Sequence, residues 1–125
     1  MEKKPKQEFS LQARKQSIRF AIDGVLSFFK AEHNAIIQLF FTIAVIVMAI
    51  VLKVNGSEAG ILALAIGGVW VSEIFNTSIE AMMNYLSPGQ HPSVKVIKDI
   101  SAAAVLFAAL TAVVVGLLIF IPKLF

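Results

Sequence analysis

Three long apolar runs dominate the sequence and constrain what it can fold into. They lie within residues 35–52, 59–86 and 102–121. A helix that spans a bilayer needs about 20 predominantly apolar residues, and each run is close to or above that length. A chain with 58% hydrophobic and 15% charged residues is also far from the composition of a soluble globular protein. The sequence therefore predicts an all-α membrane protein with transmembrane helices at about residues 35–53, 59–86 and 100–121.

The segment before the first run has a different pattern. Residues 1–9 are polar and predict a solvated tail, whereas residues 10–31 predict a helix with Ser10 as its N-cap. In that helix, apolar residues recur at spacings of three and four, with basic residues between them. A basic helix with one apolar face is typical of the membrane interface. We therefore predict an N-terminal amphipathic surface helix followed by three transmembrane helices. The polar, Lys-rich start without a cleavage site argues against a signal peptide.

The basic residues predict the orientation in the membrane. Most of the 11 Lys and Arg residues precede the first span. They are Lys3, Lys4, Lys6, Arg14, Lys15, Arg19 and Lys30. Positively charged residues stay on the cytoplasmic side, which predicts a cytoplasmic N-terminus and, after three spans, a C-terminus on the other side. Nucleic-acid binding through the same charges is disfavoured, because the chain offers no compact fold to present them.

The second predicted span carries two carboxylates and two amides. In a helix, Glu73, Asn76 and Glu80 follow the spacing i, i+3 and i+7 and project from one face, which Asn84 continues. An ionised carboxylate within a bilayer costs several kcal/mol, so acidic residues there are rarely without a function. The sequence therefore predicts a functional site at the cytoplasmic end of this span. Three spans cannot enclose such a site alone, which favours a homo-oligomer.

A further carboxylate, Glu32, ends the surface helix at the same predicted depth as Glu80. Two carboxylates at a watery interface suit Mg²⁺, which takes one or two protein carboxylates and completes its shell with waters and phosphates. The simpler alternative is that Glu32 is a helix-end charge in the headgroup layer. The residue types and spacing leave both interpretations open.

Residues 87–99 form the largest polar connection after the tail. Pro88, Gly89 and Pro92 are turn formers, so we expect this segment to be a cytoplasmic loop. It also carries Lys95, Lys98 and Asp99. Cations there could neutralise nucleotide phosphates, although basic residues beside a span are also ordinary determinants of topology. The sequence has no Walker A motif and no Gly-rich phosphate loop, so a bound nucleotide would depend on a metal ion and other side chains.

Four stretches carry a resemblance to a known family. They read A-I-D-G at 21–24, A-E-H-N at 31–34, S-E-I-F-N-T-S-I-E-A at 72–81 and H-P-S-V-K-V-I-K-D at 91–99. With this layout, the chain resembles the prokaryotic diacylglycerol kinase family, small integral-membrane lipid kinases that include undecaprenol kinases. The resemblance extends from about residue 17 to 120. It implies one domain in a homotrimer of the bacterial inner membrane that binds Mg-ATP on the cytoplasmic side and phosphorylates diacylglycerol or undecaprenol.

The same resemblance implies roles for individual residues. Glu73 matches the general base, and Glu73 and Asn76 match residues that contact the lipid. Glu32 and Glu80 match the ligands of Mg²⁺. The positions implied to bind ATP are Glu80, Gly89, Gln90, His91, Lys98 and Asp99, of which Gly89 and Gln90 match by spacing rather than by residue type.

The sequence departs from the family pattern at three positions. Asn84 stands where an aspartate is frequent, and Ala102 stands where some relatives have a serine. Arg14 lies near, but not on, the position of an arginine that some members use to bind ATP. These differences bear on the acceptor lipid more than on the kinase chemistry. The H-P-x-x-K-x-x-K-D form of the last stretch looks more like the undecaprenol branch.

Two other functions compete with a lipid kinase. A small proton-coupled or cation-coupled transporter would use Glu73 as a site that alternates between a proton and a substrate, and it would not need Glu32, Lys98 or Asp99. A noncatalytic assembly protein would not need Glu73. Phosphoryl transfer requires neutralisation of phosphate charge and a group that accepts the hydroxyl proton. Lys98 and Mg²⁺ suit the first requirement, and Glu73 suits the second.

Overall fold

The structure is a computed structural model that describes residues 2–3 and 8–125. The predicted solvated tail includes residue 1 and residues 4–7, among them Lys4 and Lys6. These five residues lie outside the described residues. The rest of the chain forms four helices: α1 (Leu11–Ala31), α2 (Asn34–Val51), α3 (Gly56–Leu86) and α4 (Pro92–Leu124). The predicted all-α architecture, with an N-terminal helix followed by three apolar helices, is confirmed.

Helix α1 begins at the cap that its sequence predicts. The Ser10 hydroxyl accepts a hydrogen bond from the Ala13 backbone N–H at 3.3 Å. Phe28 is buried against the other helices, whereas apolar side chains such as Ile18 and Ile22 are exposed. A helix that leaves an apolar face uncovered and carries basic residues elsewhere is suited to the membrane interface.

Helices α2, α3 and α4 are each long and apolar enough to cross a membrane. With 31 and 33 residues, α3 and α4 are about 46 and 50 Å long, which exceeds the hydrocarbon thickness of about 30 Å. Large apolar side chains such as Phe40, Leu64 and Phe107 are exposed on these helices, as expected for surfaces that contact lipid. The chain is therefore a multi-pass membrane protein.

Helices α3 and α4 pack along each other as an antiparallel hairpin, whereas α1 and α2 approach the other helices at few places. Asn55 starts α3 with a capping box: its side chain accepts from the Glu58 N–H at 2.9 Å, and the Glu58 carboxylate accepts from the Asn55 N–H at 3.1 Å. Glu58 also forms an ion pair of 3.0 Å with Lys123 near the end of α4. These contacts fix the end of the hairpin that is distant from the acidic face.

One predicted boundary is wrong. The sequence predicts a polar loop over residues 87–99, but α4 already begins at Pro92. His91 caps the helix, since its Nδ1 accepts from the Ser93 backbone N–H at 3.1 Å. Proline suits the first turn of a helix because its missing N–H would have no partner there. The first turns of α4 therefore contain Lys95, Lys98 and Asp99, which the sequence predicts to lie in the loop.

Candidate functional site

The predicted acidic face lies on one unbroken helix. Glu73, Asn76 and Glu80 all belong to α3, and each is half-buried. Glu73 and Glu80 lie about two turns apart on α3, and Glu32 follows Phe29 of α1, whose ring packs on that of Trp70 one turn before Glu73. The structure therefore brings the three acidic residues to the same end of the helical bundle.

These carboxylates do not converge on a single point within the described part of the chain. In the described part of the chain, no group of three or more His, Cys, Asp or Glu side chains is placed to hold a metal ion. Glu32 accepts a hydrogen bond of 3.2 Å from the backbone N–H of Asn34, which is a helix-end role at the start of α2. A magnesium ion can take two protein carboxylates together with phosphate oxygens. Glu32 and Glu80 fit such an ion in donor chemistry, and their metal role stays a prediction.

Asn76 is held in place from α4. Its side-chain oxygen accepts a hydrogen bond of 2.8 Å from the hydroxyl of Ser101, which is buried. Because the oxygen is engaged, the amide N–H₂ group remains the end of the side chain that is available to an incoming acceptor. Sequence reasoning missed Ser101, since a serine beside three alanines in an apolar run indicates close helix packing and nothing more.

Lys98 and Asp99 are neighbours in α4 but have different partners. The Lys98 ammonium group donates to the side-chain oxygen of Asn84, which connects the two helices of the hairpin. Asp99 forms an ion pair with Lys95, one turn earlier in α4. Asn84 follows Glu80 by one turn, so Lys98 lies at the C-terminal end of the acidic face of α3. Since Asn84 is neutral, it does not cancel the charge of Lys98.

Residues 89–91 connect α3 to α4 at this same end of the hairpin. Gly89, Gln90 and His91 are all exposed. His91 uses Nδ1 to cap α4, so its second ring nitrogen, Nε2, points away from that hydrogen bond. None of the hydrogen bonds found in the described residues joins these three residues to Glu80 or Lys98. Their predicted role in ATP binding stays a prediction.

A cleft of about 720 Å³ lies between α2 and the hairpin of α3 and α4. Its walls are mostly apolar, with Val45, Ile66 and Phe120 as examples from each helix. Glu73 lines the cleft together with the polar residue Gln38. The apolar surface of the cleft therefore extends to Glu73, the carboxylate that the family resemblance predicts to be the base.

Trp70 connects α3 to both α1 and α2, one turn before Glu73. Its indole N–H donates to the Thr42 hydroxyl at 3.0 Å. Its ring lies 6.2 Å from that of Phe28 and 5.7 Å from that of Phe29, measured between centroids. These separations are typical of aromatic pairs, which add to the stabilisation from burial. Sequence reasoning missed this junction, although a tryptophan within an apolar helix is a signal for one.

Comparison with known proteins finds related sequences over most of the chain. The family model described as prokaryotic diacylglycerol kinase matches residues 19–120. A diacylglycerol kinase from Synechocystis sp. is 37% identical over 110 residues, which cover 86% of this chain and 62% of that relative, so the chain spans less than two thirds of its length. An undecaprenol kinase from Bacillus subtilis is 33% identical over 101 residues, covering 81% of this chain and 82% of the relative.

No solved structure matches the chain significantly. The segment that the family model matches contains the acidic face of α3, the cleft that Glu73 lines, and the start of α4 with Lys98. This match, together with the identity to both relatives over most of the sequence, shows that the chain belongs to the prokaryotic diacylglycerol kinase family.

Proposed function

We propose that this protein is a lipid kinase of the bacterial inner membrane, which transfers the γ-phosphoryl group of Mg-ATP to the hydroxyl of diacylglycerol or undecaprenol. One observation carries the proposal: Glu73 lines the apolar cleft and lies at the same end of the helical bundle as Glu32 and Glu80. A lipid hydroxyl that arrives through the cleft would meet phosphates held at the other two carboxylates. Membership of the family and the names of both relatives support the same reaction.

In this proposal Glu73 is the general base. It accepts the proton of the lipid hydroxyl while the hydroxyl oxygen bonds to the γ-phosphorus and the bond from that phosphorus to the oxygen of ADP breaks. Asn76, oriented by Ser101, donates an amide N–H to the reacting oxygens. The hydrocarbon part of the lipid stays in the apolar cleft, so that only its head reaches the aqueous edge of the membrane.

The phosphates are held by a second group of residues in this proposal. Glu32 and Glu80 would hold Mg²⁺, which when bound neutralises charge on the phosphates. Lys98 adds a positive charge that its neutral partner Asn84 does not cancel. The residues proposed to bind ATP are Glu80, Gly89, Gln90, His91, Lys98 and Asp99. We also propose a cytoplasmic N-terminus and a homotrimer, in which neighbouring subunits would cover the half-buried acidic face.

The deciding experiment uses purified protein in mixed micelles with labelled ATP and Mg²⁺, and with diacylglycerol and undecaprenol in separate reactions. We expect labelled phosphatidic acid or labelled undecaprenyl phosphate, and we expect no product when the metal is chelated. If folded protein transfers no label to either lipid, the proposal is wrong. The reaction that yields product also identifies the acceptor.

Two variants test the division of roles. Glu73→Gln is expected to lower turnover by about 10²–10⁴-fold, the range for general base catalysis, while ATP binding survives. Glu80→Gln is expected to weaken Mg-ATP binding. Glu58→Gln is a matched control, because it changes a carboxylate at the opposite end of the same helix, and its turnover should equal that of the wild type. Loss of ATP binding in Glu73→Gln, or unchanged ATP affinity in Glu80→Gln, would contradict these roles.

The cleft also bears on the transporter alternative. Its walls away from Glu73 are formed by apolar side chains such as Leu117, Ile121 and Leu124. A path for protons or polar solutes needs polar groups or water along its length, because unsatisfied polar groups are costly in an apolar environment. An apolar cleft that ends at one carboxylate suits a lipid tail better than a transported ion.

A further inference from the structure

The cleft contains a polar group that the proposed catalytic roles leave unused. The side-chain nitrogen of Gln38 is buried and has no hydrogen-bond partner among the described residues. Gln38 itself lines the cleft, as Glu73 does. Buried donors without partners are rare in native structures and cost stability, so each one needs a physical explanation.

Thr42, one turn after Gln38 on α2, and Trp70 on α3 are already engaged with each other. The Thr42 hydroxyl accepts from the Trp70 indole N–H at 3.0 Å and donates to the backbone carbonyl of Gln38 at 2.9 Å. This arrangement fixes the Gln38 backbone while its side-chain amide keeps no protein acceptor. A ligand in the cleft could supply the acceptor oxygen.

We propose that Gln38 is a binding residue for the acceptor lipid, and that its amide N–H donates a hydrogen bond to the oxygen of the same hydroxyl that Glu73 deprotonates. The inference rests on the proposed function and adds a residue to it. An alcohol oxygen accepts one hydrogen bond while its own proton is donated to another group. An amide donor and a carboxylate acceptor that line one cleft therefore form a complementary pair for a lipid alcohol.

The chemistry of the cleft defines the class of lipid. The apolar walls accept a long hydrocarbon chain, and the polar pair of Gln38 and Glu73 accepts a hydroxyl. Diacylglycerol and undecaprenol share this hydroxyl, but only diacylglycerol also has ester carbonyls. The Gln38 side-chain nitrogen is buried, so the contact requires the side chain to turn toward the space that Gln38 lines.

A structural role for the amide makes a different prediction about stability. An amide that held helices together would have a partner, and its removal would lower the thermal midpoint of unfolding. In Gln38→Met, an apolar side chain of similar length replaces a donor that has no protein partner. The thermal midpoint should therefore stay equal to that of the wild type or rise.

The test measures steady-state kinetics of the full-length protein in mixed micelles, with the lipid and Mg-ATP varied separately. For Gln38→Met we expect kcat/KM for the lipid to fall by about fivefold to tenfold, the effect of losing one neutral hydrogen bond, while KM for ATP stays the same. Gln38→Asn keeps an amide but withdraws it by one methylene, and it should show a similar loss. Thr111→Val is the control, because the Thr111 hydroxyl bonds within its own helix, to the carbonyl of Phe107.

Each outcome decides the inference. Unchanged kcat/KM for the lipid in both Gln38 variants would overturn it, and so would equal losses for lipid and ATP. A loss with diacylglycerol but not with undecaprenol would assign the amide to an ester carbonyl and overturn the hydroxyl contact. If diacylglycerol is the sole substrate, a dialkylglycerol ether without carbonyls replaces undecaprenol in this comparison. Failure of the wild-type protein to phosphorylate any lipid would instead refute the proposed function itself.

Discussion

The hydroxyl of Ser101 donates a hydrogen bond of 2.8 Å to the side-chain oxygen of Asn76, across the hairpin of α3 and α4. Asn76 follows Glu73 by about one helical turn, so this hydrogen bond connects α4 to a residue of the acidic face. It determines that the N–H₂ end of the Asn76 amide points away from Ser101. Ser101 is therefore a positioning residue for the proposed lipid site.

Ser101→Ala should lower kcat by about tenfold and leave KM for ATP little changed, because Asn76 loses its fixed orientation while the residues proposed to bind phosphate keep theirs. Steady-state kinetics with ATP and the lipid varied separately measures both constants. Ser101→Thr keeps the hydroxyl and should recover most of kcat. A Ser101→Ala enzyme with the wild-type kcat would show that Asn76 does not depend on this contact.

Lys98→Met should raise KM for ATP by about tenfold or more, because the proposed hydrogen bond from its ammonium group to phosphate would contribute about 1.5–3 kcal/mol. Isothermal titration with Mg-ATP measures the change in affinity directly. Lys95→Met is the matched control: Lys95 lies one turn earlier in α4 and forms an exposed ion pair with Asp99, a type of contact that contributes little. Equal effects of the two substitutions would argue that Lys98 acts only through general positive charge.

Glu58→Gln and Lys123→Met should each lower the free energy of unfolding, because each breaks the ion pair that joins the outer ends of α3 and α4. The double variant should lose less than the sum of the two single losses, since both remove the same contact. Denaturant unfolding in detergent measures these losses. Additive losses would show that the pair is not energetically coupled.

Thr42→Val should lower the free energy of unfolding by about 1–3 kcal/mol, because it leaves the Trp70 indole N–H without its acceptor in an apolar environment. Thermal unfolding followed by circular dichroism measures the loss. Thr111→Val again serves as the control, as it removes a hydroxyl that bonds to its own helix and should change stability little. Equal stabilities for both variants would contradict the role assigned to the Trp70–Thr42 contact.

Local patterns were sufficient to predict the helices and the acidic face. A hydrophobic run long enough to cross a bilayer leaves few alternatives to a helix, because its backbone groups must bond within the segment. Ser10 has the residue type and position of an N-cap, and it forms that cap. Glu73, Asn76 and Glu80 share a face because helical periodicity alone fixes their directions once α3 is continuous.

The start of α4 and the contacts between helices could not be predicted in the same way. Pro92 is both a turn former and a good first residue of a helix, and the sequence does not distinguish these roles. Ser101 bonds to a residue 25 positions away, so nothing in its local sequence indicates the contact. Gln38 interrupts an apolar run, and its significance depends on a cleft formed by three separate helices.

The position of Trp70 makes its intrinsic fluorescence a reporter of the cleft. It is the only tryptophan in the sequence, and it lines the cleft one turn from Glu73. Its fluorescence therefore originates from one defined place beside the path proposed for the lipid. Brominated acyl chains quench indole emission only at short range, so entry of a lipid into the cleft can be followed as a loss of signal without any attached dye.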